Sequence, residues 1–115
     1  VNDVMAIILL AAKYGVPVCP HGGGIALCNM IQHYGMWDQI AVTGHSDTQL
    51  VEYIDFLQDA AEHPVAVRDG CYVTPTAPGW GLEFRPDFIA QHRYPEGAQW
   101  IDRPAHKKGV QFEAN

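Results

Sequence analysis

The sequence is poor in basic residues, has few cysteines and lacks any long apolar run. Lys and Arg number 7 against 13 Asp and Glu, which gives a formal net charge of −6. Such a chain is a poor partner for the phosphates of nucleic acids or for an anionic membrane surface. No apolar stretch approaches the ~20 residues that a membrane-spanning helix needs. We therefore expect neither nucleic acid nor membrane among its partners.

The cysteines are odd in number and show no CxxC spacing (Cys19, Cys28 and Cys71). Structural zinc sites need about four ligands at short paired spacings, and disulfide frameworks usually hold an even and denser set. Asp3 also stands where a secretory signal peptide carries basic residues. We expect three reduced thiols in a cytoplasmic protein, with Cys19 and Cys28 in apolar surroundings, and no metal site built from this chain.

Hydrophobic residues make up 48% of the 115 residues, enough for one small domain with a core. Apolar residues spaced by three and four predict a helix over 3–14, which Gly15 and Pro17 end. An apolar strand is predicted over 16–20. A second helix is predicted over 24–34, with an inner stripe of Ile25, Cys28 and Ile31.

Two short β-like runs follow, at 39–43 and 50–54, and then a helical turn within 56–62. The alternation of helices and strands is typical of β/α units. Two or three parallel strands cannot close a barrel, which needs about eight. The pattern therefore predicts an α/β fold that is the C-terminal piece of a larger (β/α) barrel.

The pattern changes after Pro64. Residues 64–84 alternate apolar and polar side chains and are interrupted by Gly and Pro, which predicts antiparallel strands and turns. Trp80, in this stretch, is expected to fill the core, with a ligand contact as the alternative. A short helix is predicted over 86–92 with Pro at its first position, and the polar tail from about Gly97 is expected to be poorly ordered.

His21 is the first candidate for chemistry, because it ends an apolar strand and precedes Gly22, Gly23 and Gly24. A polar residue at the carboxyl end of a parallel strand, followed by a bare loop, is typical of a site. With a pKa near ~6.5, histidine takes or gives a proton near neutral pH. The same position also suits a histidine that only hydrogen-bonds within a loop. Among the other histidines, His45 in a polar loop is the one worth testing.

Glu52 is the second candidate, since it lies inside the apolar run "LVEYI". A carboxylate in apolar surroundings needs a partner or is protonated. A solvent-facing place on an edge strand is the simpler interpretation from composition alone.

Four blocks, of which the first and last are long, resemble the C-terminal end of acid-sugar dehydratases in the mandelate racemase-like branch of the enolase superfamily, and among them the L-fuconate dehydratases. The blocks cover residues 1 to about 100 and read "VNDVMAIILLAAKYGVPVCPHGGG", "LCNMIQHYGMWDQIAVTG", "VEYIDFL" and "RDGCYVTPTAPGWGLEFRPDFIAQHRYP". The resemblance implies the C-terminal portion of a (β/α)7β TIM-like barrel plus a β-rich tail that returns to a capping domain. It assigns 1–63 to the last β/α units, 64–100 to a C-terminal segment that packs toward the capping domain, and 101–115 to a polar tail.

The resemblance also implies a chemistry. A lyase of this kind removes the proton α to a sugar carboxylate and eliminates the β-hydroxyl, giving a 2-keto-3-deoxy acid. His21 matches the family's catalytic histidine, and Glu52 matches a glutamate that hydrogen-bonds the substrate carboxylate, a role in which a protonated Glu52 with a raised pKa would donate. Gly22 and Gly23 are the candidate substrate-binding residues. Mg²⁺ is the implied cofactor, with ligands on barrel strands outside this chain.

The implied partners are the sugar-acid substrate, the remainder of the barrel with its capping domain, and further copies of the protein in a homo-oligomer. On this interpretation the 115 residues alone are inactive. An alternative from another functional class is a non-catalytic scaffold or assembly module that retains only part of the barrel.

Overall fold

The computed structural model of the chain describes residues 1–44 and 49–101. They fall into two compact units, one from Val1 to Phe84 and one that begins at Arg85. His45 and all of the predicted polar tail after Ile101 lie outside the described residues. In the described part of the chain, no helix is both long and apolar enough to cross a membrane.

Helix α1 spans Asn2–Lys13, close to the predicted 3–14. Asp3 in its first turn and Lys13 in its last turn complement the helix dipole. Gly15 has φ 65°, a left-handed conformation that costs glycine little, and so ends the helix as predicted. Ile8 is buried, but Ile7 and Leu10 of the same helix are 59% and 58% exposed. Only one narrow face of α1 therefore packs against the rest of the first unit.

The predicted strands at 16–20 and 50–54 are not strands in the structure, although the two segments lie side by side. Their backbones meet where the Glu52 N–H donates to the Pro20 carbonyl over 3.3 Å. A strand is a ladder of such bonds with a neighbour, and one bond does not make a ladder. The two apolar runs are therefore not helical but form no strand, and the predicted strands are wrong.

Helix α2 spans Cys28–Trp37 and so begins later than the predicted 24–34. The delay comes from the glycine loop and from Ala26, whose φ of 52° is incompatible with a right-handed helix. Cys28 and Ile31 are buried as the predicted stripe requires, whereas Ile25 is 51% exposed.

A π-helix at Asp38–Thr43 continues α2 and replaces the strand predicted over 39–43. Trp37 and Asp38 keep right-handed helical dihedrals, and the helical path ends at Gly44 with φ 72°. The alternating run "QIAVT" has strand-like side chains. It stays helical because α2 leads directly into it, so that no break lets the chain extend.

The region after the second extended segment is held by short elements. A 3₁₀ helix covers Asp55–Leu57 and overlaps only the first two residues of the helical turn predicted over 56–62. Strands β1 (Val67–Arg68) and β2 (Cys71–Tyr72) form an antiparallel hairpin. Asp69 and Gly70 between them both have positive φ, the geometry of the Asp-Gly hairpin turn. The predicted antiparallel character is present, but the strands are only two residues long.

Asn29 of α2 ties down the ends of residues 63–81, which we call the return segment. Its side-chain Nδ2 donates to the carbonyls of His63 and Gly81 over 2.8 and 2.9 Å. Trp80 is 40% exposed and its ring meets those of His33 and Tyr34, so the prediction that it fills the core is wrong. Of the three free cysteines, Cys28 is buried as expected, whereas Cys19 is exposed.

The second unit contains α3 and α4. Helix α3 spans Pro86–His92, as predicted, with Pro86 at its start, where the missing N–H costs nothing. A further turn, α4 (Ala98–Ile101), lies where a poorly ordered tail was expected. The Trp100 indole N–H donates to the His92 carbonyl over 2.7 Å. This hydrogen bond, between residues eight positions apart, holds the turn against the end of α3.

Candidate active site

His21 and Glu52 come together although 31 positions separate them along the chain. The His21 Nδ1 lies 2.6 Å from the Glu52 Oε2. The two extended segments, residues 16–20 and 50–54, are joined by the bond between the Glu52 N–H and the Pro20 carbonyl, which brings the two side chains to neighbouring positions. Their side chains remain 77% and 39% exposed, so the pair is open to a molecule arriving from solvent.

Glu52 is held as a carboxylate. The Gly22 N–H donates to its Oε2 over 2.5 Å. That backbone hydrogen bond is the main cause that lowers the pKa of Glu52 from its ordinary value, and the neighbouring His21 lowers it further, against a smaller rise from burial. The sequence interpretation required a raised pKa, so that Glu52 could donate a proton. The described residues lower this pKa instead of raising it, and the role of Glu52 toward the substrate stays a prediction.

Gly22 is buried and is used by the protein itself. A Cβ added there would lie 3.1 Å from the Glu52 carbonyl oxygen and 3.2 Å from the Cys28 Sγ. Its N–H already serves Glu52. Gly22 therefore holds the glutamate in place, and its substrate-binding role stays a prediction.

Gly23 makes room for the imidazole of His21. A Cβ at this position would overlap the His21 Nε2 and Cε1. Gly23 is exposed. The absence of a side chain thus lets the ring lie against the loop and leaves a bare backbone beside it.

The His21 ring has one nitrogen occupied and one available. Nδ1 faces the carboxylate, which assigns the ring proton to that nitrogen in the neutral form. No described residue forms a hydrogen bond with Nε2. The arrangement is that of a base oriented by an acceptor, with a lone pair free for proton transfer.

Tyr72 is a residue at this site that the sequence analysis did not identify. Its hydroxyl donates to the Glu52 backbone carbonyl over 2.6 Å, and the thiol of Cys28 lies 3.8 Å from the same oxygen. Burial, and then the neighbouring Cys28, raise the pKa of Tyr72. The Asp69–Gly70 turn signal could have placed Tyr72 on a hairpin, but nothing local links it to Glu52.

The described residues offer no metal centre. Among residues 1–44 and 49–101 no group of three His, Cys, Asp or Glu side chains is placed to hold an ion. A cavity of about 390 Å³ lies between α1 and the π-helix, with Ile8, Val16 and Asp38 in its wall. Neither His21 nor Glu52 lines it, and their 77% and 39% exposed side chains lie on the surface instead.

Comparison with known proteins supplies a family. Residues 1–88 match the family model described as "Enolase C-terminal domain-like". The chain is 38% identical over 108 residues to "Mitochondrial enolase superfamily member 1" of Xenopus laevis. It is also 38% identical over 102 residues to "L-galactonate dehydratase" of Hypocrea jecorina. These matches cover 94% and 87% of this chain, but 24% and 22% of the relatives.

The crystal structure of the human mitochondrial enolase superfamily member 1 matches with a TM-score of 0.82 at 34% identity. The match covers 89% of this chain and 23% of that structure. The chain therefore spans about a quarter of the length of the curated relatives that it matches.

Proposed function

Because this chain belongs to the enolase C-terminal domain-like family, we propose that it supplies the proton-transfer residues of a sugar-acid dehydratase. In that reaction the α-proton of a sugar carboxylate is removed and the β-hydroxyl leaves as water. The resulting enol becomes a 2-keto-3-deoxy acid. The relative named L-galactonate dehydratase supports this reaction type, and L-galactonate and L-fuconate are the first substrates to test.

The observation that carries the proposal is the 2.6 Å contact between His21 and Glu52. With Nδ1–H directed at the carboxylate, the Nε2 lone pair accepts a proton from a substrate that lies over the loop. The imidazolium that forms is stabilised by the negative charge of Glu52. The same nitrogen, once protonated, can instead deliver its proton to the departing hydroxyl.

In this scheme the Glu52 carboxylate accepts the His21 Nδ1–H and is itself held by the Gly22 N–H. The hydrogen bond of Glu52 to the substrate carboxylate, which the resemblance implies, stays part of the proposal. Gly23 is the remaining candidate to meet the substrate, because its backbone is exposed beside the imidazole. Each of these roles needs only groups that the chain itself contains.

Mg²⁺ is the cofactor that the superfamily implies, and its charge would stabilise the substrate as negative charge develops beside the carboxylate. The described residues do not fit a Mg²⁺ centre, because no three ligands converge and the Glu52 carboxylate is already occupied. No step is assigned to the ion here. We place its ligands on barrel strands outside this sequence.

The remainder of the barrel is the partner proposed for α1. Ile7, Leu9 and Leu10 are all more than half exposed in the present chain. Full burial of such a side chain contributes about 1.5–3 kcal/mol, and covering the exposed half of each one contributes roughly half of that. A barrel wall packed on this helix accounts for them, and the same surface would serve the alternative function of a non-catalytic assembly module.

Turnover by the full-length protein separates these two functions. Sugar acids are offered with Mg²⁺, and release of 2-keto acid is followed by its carbonyl absorbance after derivatisation. His21→Asn keeps the size of the side chain but cannot carry a proton at neutral pH. We expect it to lower kcat by about 10²–10⁴-fold and to leave Mg²⁺ affinity unchanged in a calorimetric titration.

His63→Asn is the matched control, since the His63 side chain is exposed and, among residues 1–44 and 49–101, only its backbone carbonyl takes part in a hydrogen bond. The control variant should turn over at the wild-type rate. Near-normal turnover by His21→Asn would assign His21 a structural role, and wild-type protein without dehydration of any acid would favour the assembly module.

A further inference from the structure

A second cavity lies beside the extended segment that carries Glu52. It holds about 250 Å³ and lies between α2, residues 50–51 and the β1–β2 hairpin. Neither His21 nor Glu52 lines it, so it is separate from the candidate active site. The described part of its wall contains no Asp, Glu, Lys, Arg or His side chain. The cavity is therefore suited to an uncharged ligand.

Gln32 of α2 is the most deeply buried polar side chain in this wall, with 5% exposed. Its Nε2 donates to the Asn29 carbonyl over 3.1 Å. No described residue donates to its Oε1. This atom is also not among the side-chain oxygens that are sealed without a partner, which belong to Asn29, Asp38, Gln49 and Gln58. The cavity that Gln32 lines is therefore the place from which a donor reaches this oxygen.

Further hydrogen-bonding groups lie at the rim of the cavity. The Gln39 amide and the Thr74 hydroxyl belong to exposed residues of its wall, and no described residue forms a hydrogen bond with either group. An amide and a hydroxyl each both donate and accept. Met36, Val51 and the ring of Tyr72 add apolar surface. The wall thus combines neutral polar groups with an apolar side.

From this arrangement we propose that the cavity binds a small neutral polyhydroxy compound, either a short polyol or a monosaccharide. Neighbouring hydroxyls of such a molecule both donate and accept. One hydroxyl donates to the Gln32 Oε1, while others pair with Gln39 and Thr74. The carbon chain lies against Met36 and the ring of Tyr72. This site is additional to the proposed function and does not depend on it.

Other ligand classes suit this wall less well. A charged ligand would meet no opposite charge among the described residues of the wall. A purely apolar ligand would leave the Gln32 Oε1 unpaired. Water would pair this oxygen but would leave the apolar surface of Met36 and Val51 hydrated. The volume lies just below the ~300–1,000 Å³ of sites for drug-sized ligands, which favours a smaller molecule.

Alkylation of Cys71 in the full-length protein tests the proposal. The Cys71 thiol is free and exposed, and the residue lines the cavity. Erythritol, a short polyol, is the probe, and modification of Cys71 by iodoacetamide is followed over time by peptide mass spectrometry. We expect bound erythritol to cover the thiol and to slow its modification several-fold. Sucrose is the control for general cosolvent exclusion. A disaccharide is too large for the cavity and should leave the rate unchanged.

Two variants identify the groups that hold the probe. Gln32→Leu removes the amide and keeps the approximate size of the side chain, so protection of Cys71 should need about 3–10-fold more erythritol. Thr74→Val removes one hydroxyl at an exposed position, where little effect on folding is expected, and should weaken protection in the same direction. Gln91→Leu is the matched control, since Gln91 is exposed in α3 and does not line the cavity. It should need the wild-type concentration.

Each outcome decides the proposal. Protection by erythritol that Gln32→Leu and Thr74→Val weaken, and that Gln91→Leu does not, supports the site. Absence of protection, equal protection in all variants, or equal slowing by sucrose would show that no polyol binds there. A Cys71 that iodoacetamide does not modify in the full-length protein would mean that another part of the protein covers the cavity, which also overturns the proposal. None of these measurements involves turnover, so failure of the proposed dehydratase function would leave them unchanged.

Discussion

The sharpest structural prediction concerns Asn29, the side chain that fixes both ends of the return segment. Asn29 is only 2% exposed, and its Nδ2 donates to two carbonyls, those of His63 and Gly81. The two acceptors determine which end of the amide is the NH₂ group. Its Oδ1 has no hydrogen-bond partner among the described residues.

Asn29→Ala leaves two carbonyls without their donor. A buried group that loses its partner costs about 1–3 kcal/mol. His63 is exposed and Gly81 is half-buried, so water can reach the carbonyls and each cost lies near the lower limit. The expected loss is ~2 kcal/mol, about a 30-fold change in the opening equilibrium of the return segment.

Native-state hydrogen exchange measures this opening directly. The reporters are the Glu62 and Val73 amides, which donate to the Glu83 and Ala66 carbonyls. The Val16 amide, bonded to Ala11, is the internal reference. Protection at the two reporters should fall about 30-fold in Asn29→Ala and not at the reference. Asn2→Ala, at an exposed asparagine that makes no capping bond, is the control.

Asn29→Asp sharpens the test. At neutral pH it sets a carboxylate against two carbonyl oxygens, so protection should fall further than in Asn29→Ala. In acid the protonated group can donate to one carbonyl, and the difference should narrow. Equal protection in Asn29→Asp and the wild type at neutral pH would refute the assigned contacts.

Three further changes test the site. Gly23→Ala should displace the His21 ring and lower kcat about tenfold or more. A Cβ at Gly24 has its nearest atoms in Leu27, at 3.2 Å and beyond, so Gly24→Ala should lower kcat less; equal rates in the two variants would contradict the assigned ring position. Glu52→Gln should lower kcat more than it raises KM, and a loss of Mg²⁺ binding in calorimetry would instead assign Glu52 to the metal. Because the pKa of Glu52 is lowered, its bond to Gly22 should persist from neutral pH to below the ordinary value of 4.5 and vanish as pH falls through the lowered pKa. The Gly22 amide shift in NMR should follow this titration. A midpoint above 4.5 would contradict the assigned hydrogen bond.

Local sequence was sufficient where an element depends on its own residues. The apolar spacing of residues 3–14 indicated α1, and Gly15 indicated its end. Pro86 indicated the first residue of α3, since proline suits a helix start for reasons of its own geometry. The long ordered motifs indicated the enolase superfamily, which the family match confirms. They also singled out His21 and Glu52, whose roles stay predictions.

The tertiary structure decided everything that depends on a partner far along the chain. The run 39–43 became a π-helix because α2 leads into it, against its strand-like composition. Glu52 is an acceptor with a lowered pKa because the Gly22 N–H and His21 face it, and spacing alone allowed the opposite. Tyr72 meets the Glu52 carbonyl across 20 positions only because the hairpin brings it there. A residue's type states which bonds it can form, but the fold selects the groups that lie within reach, and at this site that selection set the charge of Glu52 and the free nitrogen of His21.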